Sequence, residues 1–143
     1  MLVQPYLFFE GRCEEALEFY KKAIGAEVTM LMRNKDNPQA DSVKMQLPPG
    51  TENKVMHCEF KVGETTLMAS DGFCRGEQAS TKFQGFSLSI GVADAAAARK
   101  VFSALGSEGG KVDMPLEKTF FSESFGMVTD KFGIGWLVNA QPK

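Results

Sequence analysis

Several residue types and patterns are scarce in this chain of 143 residues, and each absence narrows what the protein can be. There is one histidine, and there are three cysteines, Cys13, Cys58 and Cys74, none of which belongs to a Cys-x-x-Cys pair. An odd number of unpaired cysteines argues against a disulfide framework and against a zinc site built on thiolates. We therefore predict reduced, partly buried thiols.

Long apolar runs and clustered basic residues are also missing. No apolar stretch approaches the roughly 20 residues of a membrane span, and residues 1–5 lack the charged and apolar regions of a signal peptide. The formal net charge is −2, and no basic face indicates nucleic-acid binding. With 43% hydrophobic and 24% charged residues, the composition is that of a globular protein. We expect a cytoplasmic protein with neither a membrane nor a nucleic acid as partner.

The chain contains an internal repeat. Residues 5–25 comprise an apolar strand, a short turn and an amphipathic helix, and residues 86–106 repeat that order. Asp94 is the predicted N-cap of the second helix. The final residues of the two segments, Gly25 and Gly106, are predicted to end their helices in the left-handed conformation.

Each helix is followed by three predicted strands. They lie at residues 27–33, 55–62 and 65–70, and at residues 111–120, 127–131 and 135–139. Because neither copy could bury its sheet alone, we predict one α+β domain of two βαβββ modules, about 1–72 and 84–143, joined by a connector. The polar insertion at 34–54 is predicted to be a long loop with a short strand near 42–47.

Five segments carry a resemblance to a known family. They are residues 5–9 (Pro-Tyr-Leu-Phe-Phe), 16–20 (Ala-Leu-Glu-Phe-Tyr), 57–63 (His-Cys-Glu-Phe-Lys-Val-Gly), 67–71 (Leu-Met-Ala-Ser-Asp) and 124–139. Together they resemble the PhnB-like branch of the vicinal-oxygen-chelate (glyoxalase/bleomycin-resistance/dioxygenase) superfamily, often labelled 3-demethylubiquinone-9 3-methyltransferase-like. The resemblance covers essentially the whole chain. It implies modules that curl into half-barrels around a cavity, and a homodimer.

The resemblance also implies where metal-dependent members hold their metal, and this chain departs from that pattern. The implied positions fall at Gln4 or Pro5, Phe86 or Ser87, Leu67 and Leu137. Leucine offers no lone pair to a cation, so we expect no metal and no cofactor. One alternative stays open: His57, Glu59 on the same strand face, and Asp71 at the end of the neighbouring strand could together hold an ion.

Other kinds of catalysis have little support in the sequence. Cys58 adjoins His57, but consecutive strand residues point to opposite faces, which argues against a Cys–His pair. No Gly-x-Ser-x-Gly motif is present. No glycine-rich loop for a nucleotide-like cofactor is found either, because residues 106–110 follow a predicted helix. Asp130 is interpreted as a turn-forming aspartate.

Aromatic residues and methionines are plentiful, with 12 Phe, 8 Met and one Trp. Most are expected in the core, but a half-barrel lined by such side chains suits an apolar or aromatic small molecule. The predicted ligand-binding residues are Phe8, His57, Asp71, Phe120 and Trp136. Arg12 is a further polar candidate.

Three functions remain open at this point. We favour metal-free binding of an apolar or aromatic small molecule, because leucines stand at implied metal positions. The second is an enzyme that uses His57 as an acid, a base or a metal ligand. The third is a scaffold whose dimer surface matters more than its cavity.

Overall fold

The helices and strands form two repeats in the same order. The computed structural model describes residues 1–37, 50–72 and 82–141. The first repeat contains β1 (Tyr6–Phe8), α1 (Cys13–Ile24), β2 (Glu27–Arg33), β3 (Val55–Val62) and β4 (Thr65–Ser70). The second contains β5 (Leu88–Val92), α2 (Ala95–Leu105), β6 (Lys111–Glu117), β7 (Ser124–Thr129) and β8 (Gly135–Ala140).

The two sheets have the same topology. Their strand orders are β1-β4-β3-β2 and β5-β8-β7-β6, and in each sheet the first strand pairs parallel with the last. The other pairings are antiparallel. This arrangement confirms the predicted α+β fold of two βαβββ modules. The chain divides into two compact units, Met1–Thr81 and Lys82–Lys143, and their folding as one domain stays a prediction.

The first helix packs its apolar stripe against one face of its sheet. The fully buried Tyr20 stacks on Phe60 of β3, with ring centroids 6.1 Å apart, and Cys13 lies against Cys58. Because the side chains of a strand alternate, the same face of the sheet carries other buried residues. These are Leu7, Phe9, Leu67 and Ala69. The helix ends as predicted at Gly25, which has a φ of 68°.

The two helices begin in different ways. The N-cap Asp94 of α2 accepts a hydrogen bond from the backbone N–H of Ala97 at 2.8 Å, as predicted. No side chain of the preceding turn caps α1. Instead, Asp71, which follows β4, accepts hydrogen bonds from the backbone N–H groups of Cys13 at 2.8 Å and Val55 at 2.6 Å.

The predicted left-handed end of the second helix is wrong. Gly106 has a φ of −81°, and the positive φ values lie further on, at Glu108 (57°) and Gly109 (105°). A Cβ at Gly106 would lie 3.2 Å from Cγ2 of Val128. Close packing on β7, rather than backbone handedness, therefore accounts for glycine at this position.

Two strand boundaries in the second repeat also differ from the prediction. β7 spans Ser124–Thr129 instead of 127–131, and it ends before Asp130 because the side chain of Asp130 accepts backbone hydrogen bonds from Phe132 and Ile134. These bonds confirm Asp130 as a turn-forming aspartate. β6 ends at Glu117 rather than at 120, before a turn in which the backbone N–H of Thr119 donates to the Ser122 carbonyl.

Two predicted features lie outside the described residues. These are the short strand near 42–47 and most of the connector between the modules. Where the chain is described, no helix combines the length and the apolar character needed to cross a membrane.

Candidate functional site

Each sheet has one face against its helix and one face turned away from it, which we call the far face. On the first sheet, strand pairing and the alternation of side chains give the far face its residues. They are Tyr6, Phe8, Glu27, Met30, Met32, His57, Glu59, Lys61, Thr66, Met68 and Ser70. This face combines aromatic rings, thioethers, an imidazole, two carboxylates and one ammonium group.

Three neighbouring rings form the centre of this face. The hydroxyl oxygen of Tyr6 lies 2.9 Å from Nδ1 of His57, and their rings are 5.5 Å apart. The ring of Phe8 lies 4.9 Å from that of Tyr6. Tyr6 is 37% exposed and Phe8 is 47% exposed, so both rings are accessible in this chain.

The phenol of Tyr6 is held in its neutral form. Partial burial raises its pKa above the ordinary value, and a hydrogen bond from Ser70 opposes that rise to a smaller extent. Ser70 is itself buried, and its Oγ accepts a hydrogen bond from the backbone N–H of Gly72 at 3.1 Å. Near neutral pH, Tyr6 can therefore donate a proton to a hydrogen bond.

Methionines surround this polar centre on the neighbouring strands. Met68 is the strand-pairing partner of both Tyr6 and Glu59, and Met30 is paired with Glu59 on the other side. Met32 is paired with His57. Thioethers are polarizable and adapt to ring-shaped ligands, so the surface suits contact with an aromatic molecule.

Asp71 lies on the helix side of the first sheet, away from His57 and Glu59. It is 2% exposed, and its carboxylate accepts the two backbone hydrogen bonds that hold the start of α1. The predicted trio of His57, Glu59 and Asp71 is therefore not brought together. Across the described residues, no group of three or more His, Cys, Asp or Glu side chains could hold a metal ion.

Arg12 is also engaged near the start of α1. Its guanidinium forms an ion pair with Glu15 at 3.1 Å, and both side chains are about half exposed. This contact places Arg12 beside the helix rather than among the far-face side chains.

The implied metal position on β4 needs a correction. Leu67 is 5% exposed and faces α1, so the far-face residue beside β1 is Met68. A thioether is a soft ligand, poorly suited to Mg²⁺ or Mn²⁺. In the second sheet, Leu137 does lie on the far face, paired with Ser89 of β5. The identity of one residue changes, but both positions still lack an oxygen or nitrogen donor.

The two remaining predicted site residues lie in the second unit. Trp136 is 4% exposed and faces α2, and its Nε1 donates to Oδ2 of Asp130 at 2.9 Å. Phe120 is fully exposed and makes an edge contact with Phe121, with ring centroids 5.1 Å apart. Trp136 is thus part of the core of its unit, and Phe120 is a surface side chain.

The far face of the second sheet differs in chemistry from that of the first. Strand pairing places Ser89 and Phe125 where the first sheet has Tyr6 and His57. Oδ1 of Asn139, on the same sheet, is buried and has no hydrogen-bond partner among the residues that the structure describes. The Tyr–His pair therefore belongs to the first copy of the repeat only.

Two thiols form a close pair on the helix side of the first sheet. Sγ of Cys13 and Sγ of Cys58 are 3.6 Å apart, and both residues are fully buried and free of disulfides, as predicted. The hydrogen bond with Cys58 and burial raise the pKa of Cys13. Cys58 and His57 point to opposite faces, which confirms that they do not form a catalytic pair.

Sequence reasoning missed two residues of this face. Tyr6 and Phe8 lie on either side of the buried Leu7 in β1, so the period-two alternation of a strand could have identified Tyr6 as a far-face residue. Ser70 is short and buried, and its role depends on a contact between β1 and β4 that the sequence does not display.

Comparisons of the sequence with known proteins identify a family and a relative that match almost the whole chain. A family model described as 3-demethylubiquinone-9 3-methyltransferase matches residues 2–139. Protein YjdN of Escherichia coli (strain K12) is 30% identical over 146 residues, which cover 97% of this chain and 95% of that protein. The match therefore spans nearly the whole length of both proteins.

Several solved structures are similar to this chain in fold. Protein PA1353 from Pseudomonas aeruginosa has a TM-score of 0.82 and 36% identity, covering 100% of this chain and 99% of that one. A PhnB protein from Bacillus cereus has a TM-score of 0.76 and 27% identity, with 98% and 99% covered. At the level of the fold alone, FosX from Listeria monocytogenes has a TM-score of 0.62 with 6% identity, covering 99% and 94%. The chain therefore belongs to the 3-demethylubiquinone-9 3-methyltransferase family, the PhnB-like branch of the vicinal-oxygen-chelate superfamily.

Proposed function

We propose that this protein binds an apolar or aromatic small molecule on the far face of its first sheet, without a metal. The observation that carries the proposal is the accessible pair of rings, Tyr6 and Phe8, beside the hydrogen-bonded imidazole of His57. Apolar surface with a few polar groups is the usual composition of a small-molecule site. Of the predicted ligand-binding residues, Phe8 and His57 stay in this site.

Exposure of these rings supports the proposal. A large aromatic side chain that remains accessible on a β-strand leaves apolar area in water, and a ligand that covers the area gains about 25 cal/mol per Å². Offset or edge contacts between aromatic rings add about 0.5–1.5 kcal/mol each. Tyr6 and Phe8 together offer such contacts to one planar molecule.

The chemistry of the side chains supports a metal-free site. His57 is the single histidine, and the other far-face residues next to it are Met32 and Ser70. A divalent cation prefers several imidazole or carboxylate ligands. On this face Glu59 lies two residues from His57, whereas Glu27 is paired with Lys61, further along the sheet.

An enzyme that uses His57 as an acid or base is a second candidate. The observation in its favour is the hydrogen bond between Tyr6 and His57. A partner on Nδ1 orients the imidazole so that Nε2 can give or take a proton. A compound that binds can be followed by mass spectrometry with the wild type and with His57→Gln. Conversion by the wild type alone would favour the enzyme.

A thermal-shift screen with two separate arms tests the proposal. One arm contains Ni²⁺, Zn²⁺ and Mn²⁺, and the other contains aromatic and quinone-like compounds. A ligand at a hundredfold its Kd adds about 2.7 kcal/mol to the free energy of unfolding. Stabilisation by aromatic compounds alone is expected. Stabilisation by metals alone would contradict the metal-free site, and silence in both arms would favour the scaffold.

Variants locate the site of any stabilising compound. We expect Phe8→Ala to lower the apparent affinity, read from the dependence of the thermal shift on ligand concentration, at least fivefold, since it removes one ring of the pair. Leu31→Ala is the matched control, because Leu31 is 37% exposed but lies on the helix side of the same sheet. Phe120→Ala tests whether the exposed ring of the second unit takes part. Equal weakening by Leu31→Ala would contradict the assignment to the far face.

We also propose that the protein is a homodimer, as the family resemblance implies, and that it is cytoplasmic. Light scattering after size exclusion would give the mass directly. A mass near 15.7 kDa, that of one chain, would contradict the dimer.

A further inference from the structure

The core of the first unit holds two thiols in direct contact. Sγ of Cys13 and Sγ of Cys58 are 3.6 Å apart, and both residues are fully buried, free cysteines. The S–S bond of a disulfide measures about 2.05 Å, so the two atoms need to approach each other by about 1.5 Å. Because the core is close-packed, the fold keeps the two sulfur atoms together for as long as it persists.

The two thiols belong to parts of the chain that are distant in sequence. Cys13 is the first residue of α1, and Cys58 lies in the middle of β3, 45 positions later. The carboxylate of Asp71 accepts a hydrogen bond from the backbone N–H of Cys13, but no side chain of the preceding turn caps the helix. Helix ends open more readily than helix interiors. A covalent bond at this point would fasten the start of α1 to the sheet.

We propose that Cys13 and Cys58 form a redox-sensitive clamp, in which a hydroperoxide converts the two thiols to a disulfide that fastens α1 to β3. This inference goes beyond the proposed function. Both sulfur atoms lie on the helix side of the sheet, whereas the ligand is proposed for the far face, so each idea can fail without the other.

One hydrogen peroxide molecule is consumed for each pair of thiols. The thiolate of one cysteine attacks the peroxide, the O–O bond breaks, and a sulfenic acid forms while the other oxygen leaves as water. The second thiol attacks the sulfenic sulfur, so that the S–S bond forms, the S–O bond breaks and its oxygen leaves as water. The two sulfur atoms lose two electrons in total, and the peroxide gains them.

Burial determines which reagents give a stable product at this pair. Hydrogen peroxide is only slightly larger than water, and a brief opening of the first turn of α1 is enough to admit it. The disulfide takes less room than the two thiols, so the core does not have to expand. An alkyl group added to either sulfur would have to fit into a close-packed core. The site therefore favours a disulfide over an alkylated thiol.

Peptide mass spectrometry identifies the product of oxidation. Cys74 lies outside the described residues, and Cys74→Ser in every test protein leaves the pair as the two remaining cysteines. After treatment of the folded protein with hydrogen peroxide, we expect the peptides of Cys13 and Cys58 to be joined by a bond that dithiothreitol breaks.

Three results would overturn the proposal. The first is sulfinic or sulfonic acid as the main product, and the second is a disulfide between two chains. The third is a pair of unreacted thiols after an exposure ten times longer than the one that oxidises the protein in 6 M urea.

Hydrogen exchange measures the clamp itself. The backbone N–H groups of Cys13 and Ala16 donate to Asp71 and to the Arg12 carbonyl. We expect both to exchange about tenfold more slowly in the oxidised protein than in the reduced one. The N–H of Ala97 in α2 is the internal control, and its rate should not change. Equal or faster exchange at Cys13 and Ala16 after oxidation would overturn the clamp.

A matched variant separates the disulfide from other effects of the oxidant. Hydrogen peroxide also oxidises methionine, and the chain has eight methionines. Cys13→Ser in the same background keeps the methionines and Cys58 but cannot form the bond. The exchange of the Ala16 N–H in this variant should not become slower after treatment. The same slowing in the variant as in the protein with both thiols would show that the disulfide is not its cause.

Discussion

The two buried aspartates among the described residues, Asp71 and Asp130, hold the backbone. Asp71 and Asp130 are both nearly fully buried, and each accepts two backbone hydrogen bonds. An unpaired buried carboxylate would be costly, and these bonds remove that cost. At the scale of single residues, the polar groups on the helix side and on the far face therefore have different roles.

The raised pKa of Tyr6 predicts a loss of stability at alkaline pH. A group whose pKa is raised on folding contributes stability that is complete below its unfolded pKa and disappears as the pH rises through its folded pKa. Urea unfolding from pH 9 to 11 should therefore show a steeper fall for the wild type than for Tyr6→Phe. Parallel curves for the two proteins would contradict the neutral, partly buried phenol.

The buried thiols predict a pattern of chemical reactivity. Cys13 and Cys58 are fully buried, and the hydrogen bond between them together with burial raises the pKa of Cys13, so its thiolate is scarce. Iodoacetamide at pH 8 should modify both at least a hundredfold more slowly in the native protein than in 6 M urea, as measured by peptide mass spectrometry. Rapid native modification of Cys13 would mean that α1 does not cover the pair.

At the scale of elements, the two helices depend on different parts of the chain. Asp94 caps α2 locally, whereas Asp71 caps α1 from the end of β4 and also holds the start of β3. The sequence showed the first cap, because Asp94 directly precedes an apolar helical pattern. It could not show the second, because the capping residue lies 58 positions away.

These caps predict unequal costs. Asp94→Ala should lower the free energy of unfolding by about 1 kcal/mol. Asp71→Ala should lower it by about 3 kcal/mol, since two buried N–H groups lose their acceptor. Asp71→Asn, which keeps one oxygen, should lie between the two values. Denaturant unfolding measures all three, and equal losses for Asp94→Ala and Asp71→Ala would contradict the capping role of Asp71.

Most elements of the fold could be predicted because their signals are local. The alternating residues of β3 and β4 and the glycine of their turn gave correct boundaries. The end of β7 was misplaced because the side-chain bonds of Asp130 form only once the turn closes. For the proposed site, residue type led to Phe8 and His57, which the structure places on the far face, and their binding of a ligand stays a prediction. Asp71 and Trp136 have the same chemistry as ligand-binding groups, and only their packing distinguishes them.

At the scale of the whole molecule, two copies of one topology carry different chemistry. The strand orders are identical, yet Tyr6 and His57 of the first sheet correspond to Ser89 and Phe125 of the second. The two sheets therefore share a strand order while the side chains on their far faces differ. The family connects this chain to proteins of the same fold, and the proposed ligand rests on the side chains of the first sheet.

The proposed site predicts the metal content of the whole protein. After purification without chelators, elemental analysis should find less than about 0.1 equivalent of Zn, Ni, Mn or Fe per chain. The reason is that His57 has one carboxylate, Glu59, two residues away on its strand face, whereas Glu27 is paired with Lys61 further along the sheet. One equivalent that disappears in His57→Gln would contradict this prediction. An equivalent that persists in the variant would place a metal elsewhere in the chain.

The distant cap of α1 has a consequence for the order in which the protein folds. The first turn of α2 can be stabilised as soon as Asp94 and Ala97 are in place, because its cap closes a loop of three residues. The first turn of α1 must wait until β4 has returned alongside β1 and delivered Asp71. Closing that long loop has a larger entropic cost and slows the step that requires it. The two halves of a symmetric scaffold should therefore fold at different rates, with the second half able to nucleate first.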